Sequence, residues 1–340
     1  MSASDKIIKL WKVNVVFKKE AEIPLNSGIA GKVIIPKLRV TNKYYQNSLK
    51  QSYSNLHNYH INSLTLSPDR EHFISSDDLR VYLWTIENQS ECYNLIDLKP
   101  PKFDDANKVI TACKYHSILD YEFAYSTSQG YICRQDLRIA AKSGPISESR
   151  SENKPTIPKQ KTQTLDYDEL ISCVTDFEYS SDGKYIFARD LLSVSVWDTA
   201  MMSEPLSTIQ LFKASFDKLD ALYNNEAIYD KFKISVNESG NAYATGGFNG
   251  FIVGDSMGMS AYQYFEDFKG SNPFADESIE KVIKNRQHPR YRTYIEQVIP
   301  GRLQELESDF TQRVINLAWN QKLNSVVAAC KGTLYFFNRS

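Results

Sequence analysis

Six short stretches of this chain repeat one alternation, and they recur too far apart to be neighbouring hairpin strands. DKIIKLWK (5–12), DLRVYLWT (78–85), GYICRQDL (130–137), LLSVSVWD (191–198), GFIVGDSM (250–257) and GTLYFFNR (332–339) each begin at or just behind a turn-forming residue. Each alternates apolar with other residues and ends on a bulky residue or its replacement: Trp11, Trp84, Gln135, Trp197, Gly254 and Phe337. Period two is the pattern of a half-buried strand, because successive side chains leave opposite faces. Ahead of several of them lies a second block: INSLTLSPDREHFISS (61–76), VTDFEYSSDGKYIFAR (174–189) and INLAWNQKLNSVVAAC (315–330). In each block one strand enters a polar turn and another leaves it. Pro68-Asp69 and Asp182-Gly183 supply turn chemistry in two of them.

Strand–turn–strand–turn–strand, repeated, is the inner part of a propeller blade, and these blocks look like WD-type repeats. The expected fold is therefore all-β, a WD-repeat β-propeller over 1–340. The end positions lie 73, 51, 62, 57 and 83 residues apart, against a usual period of ~40–45. Every blade should thus carry an insertion. Three are legible: a hairpin arm or loop at 14–50, a mobile Ser/Pro/Lys-rich loop at 139–165, and a charged insertion at 262–312. Within the last, 275–312 is locally helix-periodic and interrupted by Pro289 and Pro300, which predicts short helices or a flexible excursion.

Composition narrows the function classes. Apolar residues make up 42% of the 340, enough for a substantial core, and 40 basic side chains nearly cancel 41 acidic ones. Whole-protein attraction to nucleic acid is not indicated. No apolar run nears the ~18 residues of a membrane span. Five cysteines, Cys92, Cys113, Cys133, Cys173 and Cys330, show no CxxC spacing, which argues against a disulfide framework or a cysteine-built zinc site. The expected compartment is cytoplasmic, with the nucleus left open.

In HINSLTLSPDREHFISSDDLRVYLW (60–84) a His, a Ser, an Asp and a Trp invite a catalytic reading. In a WD repeat the same four types share hydrogen bonds, because buried polar groups left unpaired cost about 1–3 kcal/mol each. Asp78 lies six residues before Trp84, as Asp5 does before Trp11. His60, Ser75, Asp78 and Trp84 are therefore expected to form a structural clamp.

NLHNYHINSLTLSPD (55–69), FISSDDLRVYLW (73–84), VITACKYH (109–116), FARDLLSVSVWD (187–198), LYNNEAIYDKF (222–232) and LAWNQKLNSVVAA (317–329) together resemble the WD-repeat, B-type regulatory subunits (55-kDa class) of protein phosphatase 2A. The order of blocks agrees along nearly the whole chain. The HINS and YDKF blocks carry the specificity, with Asn58 and Pro68 as departures. The resemblance implies a seven-bladed ring. Only six third strands are counted here, so about five complete blades plus part of a sixth are expected. Either the chain is N-terminally incomplete, which would leave open sheet edges, or the ring closes differently.

The resemblance further implies a non-catalytic adaptor without cofactor or metal. It would dock on the scaffold (A) subunit of protein phosphatase 2A and select phosphoprotein substrates for the catalytic (C) subunit. The alternative is a generic WD-repeat interaction scaffold without phosphatase binding. Scaffold contact in the family uses a hairpin from an early blade, which points to Val33, Ile34, Ile35 and Lys37 within GKVIIPKLRV (31–40). The substrate groove in the family is acidic, which points to Asp136 in CRQDLR (133–138) and to Glu169 and Leu170 in DYDELIS (166–172). Asp136 equally fits the aspartate of a degraded WD dipeptide. His57 and His60 lack further ligands at metal spacing. GGFNGF (246–251) lacks the Lys-Ser/Thr of a phosphate loop and reads as a tight turn. The basic-aromatic RQHPRYR (286–292) reads as a solvated face.

Overall fold

A computed structural model describes residues 1–22, 37–100, 108–138, 167–213, 216–248, 250–255, 261–265, 294–298, 304–305, 310, 313–321, 324–330 and 333–338. The expected mobile loop 139–165 and the residues Val33, Ile34 and Ile35 lie outside these. Two compact units divide the chain, Met1–Ile61 and Asn62–Ser340.

The first unit is one antiparallel sheet of β1 (Ser2–Ser4), β2 (Ile7–Glu22) and β3 (Lys37–Tyr53). The long ribbon β2–β3 keeps register from Ile8↔Tyr53 to Glu22↔Lys37, with shifts at Leu10/Trp11 and Lys18/Lys19. Its faces differ. Trp11, Val13, Val15 and Phe17 share one face, opposite Leu49, Asn47, Tyr45 and Lys43. Lys12, Asn14, Val16 and Lys18 share the other with Ser48, Gln46, Tyr44 and Asn42, a mainly polar face broken by the Val16–Tyr44 pair. The apolar face is open: Val13 is 63% exposed, Phe17 51% and Tyr45 68%.

The second unit holds five blades in chain order. The first is β4 (Ser63–Leu66), β5 (His72–Ser76), β6 (Arg80–Thr85) and β7 (Cys92–Asp97). The second is β8 (Ile110–Tyr115), β9 (Glu122–Thr127) and β10 (Ile132–Asp136). A short helix, α1 (Asp168–Ile171), precedes the third, β11 (Asp176–Tyr179), β12 (Tyr185–Arg189), β13 (Ser193–Asp198) and β14 (Ser207–Gln210). After β15 (Phe212–Lys213) and α2 (Phe216–Asn224) comes the fourth: β16 (Ile234–Val236), β17 (Ala242–Gly247), β18 (Gly250–Asp255), β19 (Ala261–Phe265) and β20 (Tyr294–Val298). Strand β21 (Gln304–Glu305) pairs parallel with β15, and β22 (Asn316–Asn320), β23 (Ser325–Cys330) and β24 (Thr333–Asn338) form the fifth blade. All six period-two stretches are third strands or, for β2, its equivalent. Within the charged insertion the structure places a strand, β20, where the residue pattern is helix-periodic. Tyr294–Val298 finds an open edge on β19, and pairing satisfies its backbone.

The first three blades are stabilised by related local chemistry. Between first and second strands, Asp69 Oδ1 accepts the Glu71 N–H and the Ser67 hydroxyl, and Asp182 Oδ1 accepts from Lys184 N (3.1 Å) and Ser180 Oγ (2.6 Å). In the second blade a histidine takes that place. His116 Nδ1 accepts the N–H groups of Ile118 (3.2 Å) and Leu119 (3.1 Å), which leaves the proton on Nε2 to reach Gly183 O at 3.2 Å. Gly183 sits at φ +70, and a Cβ there would fall 2.1 Å from the His116 ring, so this contact requires glycine. Between second and third strands, Asp77 Oδ1 accepts from Leu79 N (2.9 Å) and Arg80 N (2.7 Å), and Asp190 Oδ1 repeats this with Leu192 N (2.8 Å) and Ser193 N (2.6 Å).

These turns revise the expected clamp. Ser75 and Trp84 are fully buried and bonded, Trp84 Nε1 donating to Ser75 Oγ at 2.8 Å. The buried turn carboxylate is Asp77, however, and not Asp78, whose Oδ1 instead accepts from Asn62 Nδ2 at 2.7 Å. His60 is no clamp member: its side chain is 81% exposed and bonds Asp5 at 2.8 Å within the first unit.

Successive blades are pegged. Asn62 Nδ2 donates to Ile110 O (3.0 Å), Thr111 Oγ1 to Val174 O (2.5 Å) and Thr175 Oγ1 to Phe232 O (3.0 Å). Apolar clusters fill the spaces between blades, the largest running from Phe187 and Val194 to Phe232, Tyr243 and Ile252. A buried cation, Arg189, lies there between the Phe212 and Phe232 rings, and burial lowers its pKa to about 10.

Two substitutions probe these contacts. Thr175→Val keeps the shape but removes the donor to both Arg189 O and Phe232 O; it should cost about 1–3 kcal/mol, read by denaturant titration. Trp197 Nε1 is buried without a partner where Ala188 stands at the Ser75 position. Ala188→Ser should therefore stabilise by about 1 kcal/mol, raising the melting midpoint by a degree or more.

Candidate functional site

The pegs that order the blades also shape one end of them. There the turns leading into third strands meet the segments leading into first strands, around a cavity of about 410 Å³. Thr111, Ser128 and Tyr131 come from the second blade, Leu170, Ser172, Cys173 and Thr175 from α1 and its exit, and Leu191 from the third. Ile228, Tyr229, Asp230 and Lys231 close it from the segment after α2. Strand register explains why these residues converge. Phe73 faces Trp84, Phe123 faces Gln135 and Ile186 faces Trp197. Five positions after each comes Asp78, Ser128 and Leu191, equivalent residues at equivalent turns, and the latter two line the cavity.

The lining is apolar with charged groups held in place. Lys231 Nζ donates to Asn62 Oδ1 at 3.2 Å, and the other end of that amide serves Asp78 and Ile110 O. One asparagine thus links a cavity cation, a neighbouring carboxylate and a blade peg. Asp230 accepts from Arg313 Nη1 at 2.8 and 2.9 Å. Burial holds the Asp230 carboxyl above the usual carboxylate range, with the Arg313 guanidinium pulling the other way. The Cys173 thiol is pushed up to about 11 by burial, so it is a protonated wall group at neutral pH and no nucleophile. Beside the cavity, the Tyr229 ring packs at a tilt 6.2 Å from Tyr223, which lies 5.9 Å from Tyr167. Tyr167 Oη donates to Asp220 at 2.5 Å. The site offers apolar walls, aromatic rims and fixed charges of both signs. Apolar walls with a few placed polar groups can hold an apolar side chain or ligand group and fix its orientation.

The expected groove residues separate. Leu170 lines the cavity, and Glu169 precedes it within α1, its side chain outside the described residues. Asp136 does not line the cavity. Tyr131, just before β10, does, and Asp136 ends that strand, about 16 Å away at ~3.3 Å per residue. Arg138 holds the Asp136 carboxylate through Nε (3.0 Å) and Nη2 (2.6 Å), which lowers its pKa. Lys37 opens β3, and its side chain too lies outside the described residues. Tyr229, Asp230 and Lys231 are legible in the sequence only as part of LYNNEAIYDKF. Nothing in their spacing separates a cavity wall from an ordinary connection. Asp69, Glu71 and His72 place ligand atoms within 4.8 Å of one another, and the Asp69 turn accounts for that grouping.

Comparison with known proteins agrees with the repeat. The profile of the family described as "WD domain, G-beta repeat" matches residues 49–85. The chain is 29% identical to serine/threonine-protein phosphatase 2A regulatory subunit sur-6 of Caenorhabditis elegans, over 99% of this chain and 69% of that protein. It is 30% identical to regulatory subunit phr2AB of Dictyostelium discoideum, over 89% of this chain and 61% of that protein. It is also 30% identical to the B beta isoform of the 55 kDa regulatory subunit of Carassius auratus, over 99% of this chain and 75% of that protein. Among solved structures, the β-propeller domain of Cps50 (Swd1) from Myceliophteria thermophila matches with a TM-score of 0.44 at 13% identity, covering 86% of this chain and 73% of that one.

The Asp230–Arg313 pair yields a pH-dependent expectation. Arg313→Ala leaves the carboxylate without its counter-charge and should raise its folded-state pKa further above the unfolded value. A carboxyl raised in the folded state costs stability as pH rises towards that pKa. The variant's melting midpoint should thus fall further below wild type at about pH 8 than at about pH 4.

Proposed function

The chain belongs to the 55 kDa, B-type regulatory subunit family of protein phosphatase 2A, and on that premise we propose that it joins scaffold and catalytic subunits and chooses their phosphoprotein substrates. Its role is regulatory and not catalytic. The observation that carries the docking half is the open apolar face of the β2–β3 ribbon. Trp11, Val13, Val15, Phe17, Tyr45 and Leu49 share it, each between 38% and 68% exposed. A two-stranded ribbon has no second layer of its own, and apolar alternation along it is stabilising only when another surface covers it. The scaffold subunit is the proposed cover. Substrate choice is assigned to the cavity, where Leu170, Leu191 and Tyr229 would take an apolar side chain of a bound segment and Lys231 would fix its register. Such polar placement favours selectivity over raw affinity.

Three measurements test the proposal. The full chain should capture purified scaffold subunit, and Val13→Asp with Phe17→Asp should weaken capture by about tenfold or more while leaving the melting midpoint of the second unit in place. Capture of the scaffold by neither protein, with both folded, would favour a WD-repeat interaction protein outside the phosphatase. In the assembled holoenzyme, Lys231→Glu should lower dephosphorylation of protein substrates several-fold and leave a short generic phosphopeptide unaffected. Asp136→Lys should change neither, because its carboxylate is engaged by Arg138 at the far end of β10.

A further inference from the structure

Resting on the docking reading above, we propose that the scaffold patch receiving the ribbon is an apolar strip bordered by carboxylates, and that charge on the ribbon steers their encounter. Net charge over the whole chain conceals a division. Residues 1–61 carry ten Lys and Arg against three Asp and Glu, whereas residues 62–340 carry thirty against thirty-eight. The first unit is strongly basic and the second acidic.

The basic residues of the ribbon are placed, not scattered. Lys50 is the extra residue at the register shift beside Trp11 and Leu49, at one end of the apolar strip. Lys43, opposite Phe17, and Lys19, at the second shift, bracket the other end, and Lys12 lies on the reverse face. All four are exposed, with the Lys43 ammonium 5.6 Å from the Tyr45 ring. An apolar strip by itself has no preferred direction along its partner. Cations at its two ends fix its register against carboxylates spaced to match, and they accelerate encounter with an acidic surface in a salt-dependent way. Of the three acidic residues of this unit, Asp5 bonds His60, and Glu20 and Glu22 end β2 beyond Lys19, so the unit stays basic by ten to three.

The test is the association rate of the full chain with immobilised scaffold subunit at about 0.05 M and about 0.5 M salt. Wild type should lose about tenfold or more in association rate between them, with a dissociation rate changed less than about twofold. Lys12→Glu, Lys19→Glu and Lys50→Glu together should lower the association rate about tenfold at low salt and remove the salt dependence. The Gln counterparts should fall between, and circular dichroism should show both triple variants folded. Binding whose association rate ignores both salt and charge reversal would overturn the steering proposal while leaving the docking reading intact. Failure of wild type to bind scaffold at either salt would overturn both. A third arm uses phosphatidylserine vesicles: charge-dependent capture of vesicles with salt-independent scaffold association would assign the cations to a membrane and overturn the proposal.

Discussion

A single side-chain hydroxyl or amide at the start of each of the first three blades ties it to the blade that follows. Asn62 and Thr175, just before β4 and β11, and Thr111, second in β8, each reach across to a carbonyl at or just ahead of the start of the next blade's first strand. Removing a donor would cost a buried carbonyl that bond, a cost repeated at each of the three pegs. With it, the start of each blade is held at one hydrogen bond's length from the last. Everything at that end follows, because Thr111 and Thr175 also line the cavity and Asn62 also holds Lys231 and Asp78. Blade spacing and site geometry are therefore one constraint.

The same period-two pattern has opposite fates in the two units. In β6 and β13 it turns Val81, Val194 and Val196 into core, since a neighbouring blade covers the apolar face. In β2 it continues past Trp11 through Val13, Val15 and Phe17, on a ribbon with no second layer of its own. Trp11 itself keeps the blade habit, donating to Ser2 Oγ at 2.8 Å as Trp84 does to Ser75, yet it is 38% exposed. Alternation specifies a strand and its faces. It does not specify what covers them.

That distinction marks how far the sequence can be read. Third strands, the turn aspartates at Asp69 and Asp182 and the WD-repeat architecture are legible, because each rests on local chemistry with a fixed spacing. The clamp is misplaced by one residue. Asp77 and Asp78 are chemically identical in sequence, and only the backbone turn decides which carboxylate faces the N–H groups of Leu79 and Arg80. Asp136 stands a strand length from the cavity, and alignment to an acidic block says nothing about which end of the blade it occupies. The cavity is not legible as a site at all. Its wall joins residues from Val109 to Lys231 that no spacing rule connects.

The blades also show how a repeat can drift without losing its core. In the first blade Phe73 stacks on Trp84 across the register at 5.9 Å, with Ser75 satisfying the indole. The third keeps the tryptophan but has Ile186 opposite and Ala188 in place of the serine, so volume survives and the hydrogen bond does not. In the fourth blade the pair is Tyr243 and Gly254, and a Cβ on Gly254 would lie 2.4 Å from the Tyr243 hydroxyl. Here only the second strand keeps its aromatic, and the glycine is the space it needs. What the fold retains at this cross-strand pair is filled volume, because a void forfeits contacts on every side whereas an orphaned indole loses one bond. A tryptophan signature therefore fades from a propeller sequence well before the propeller itself does.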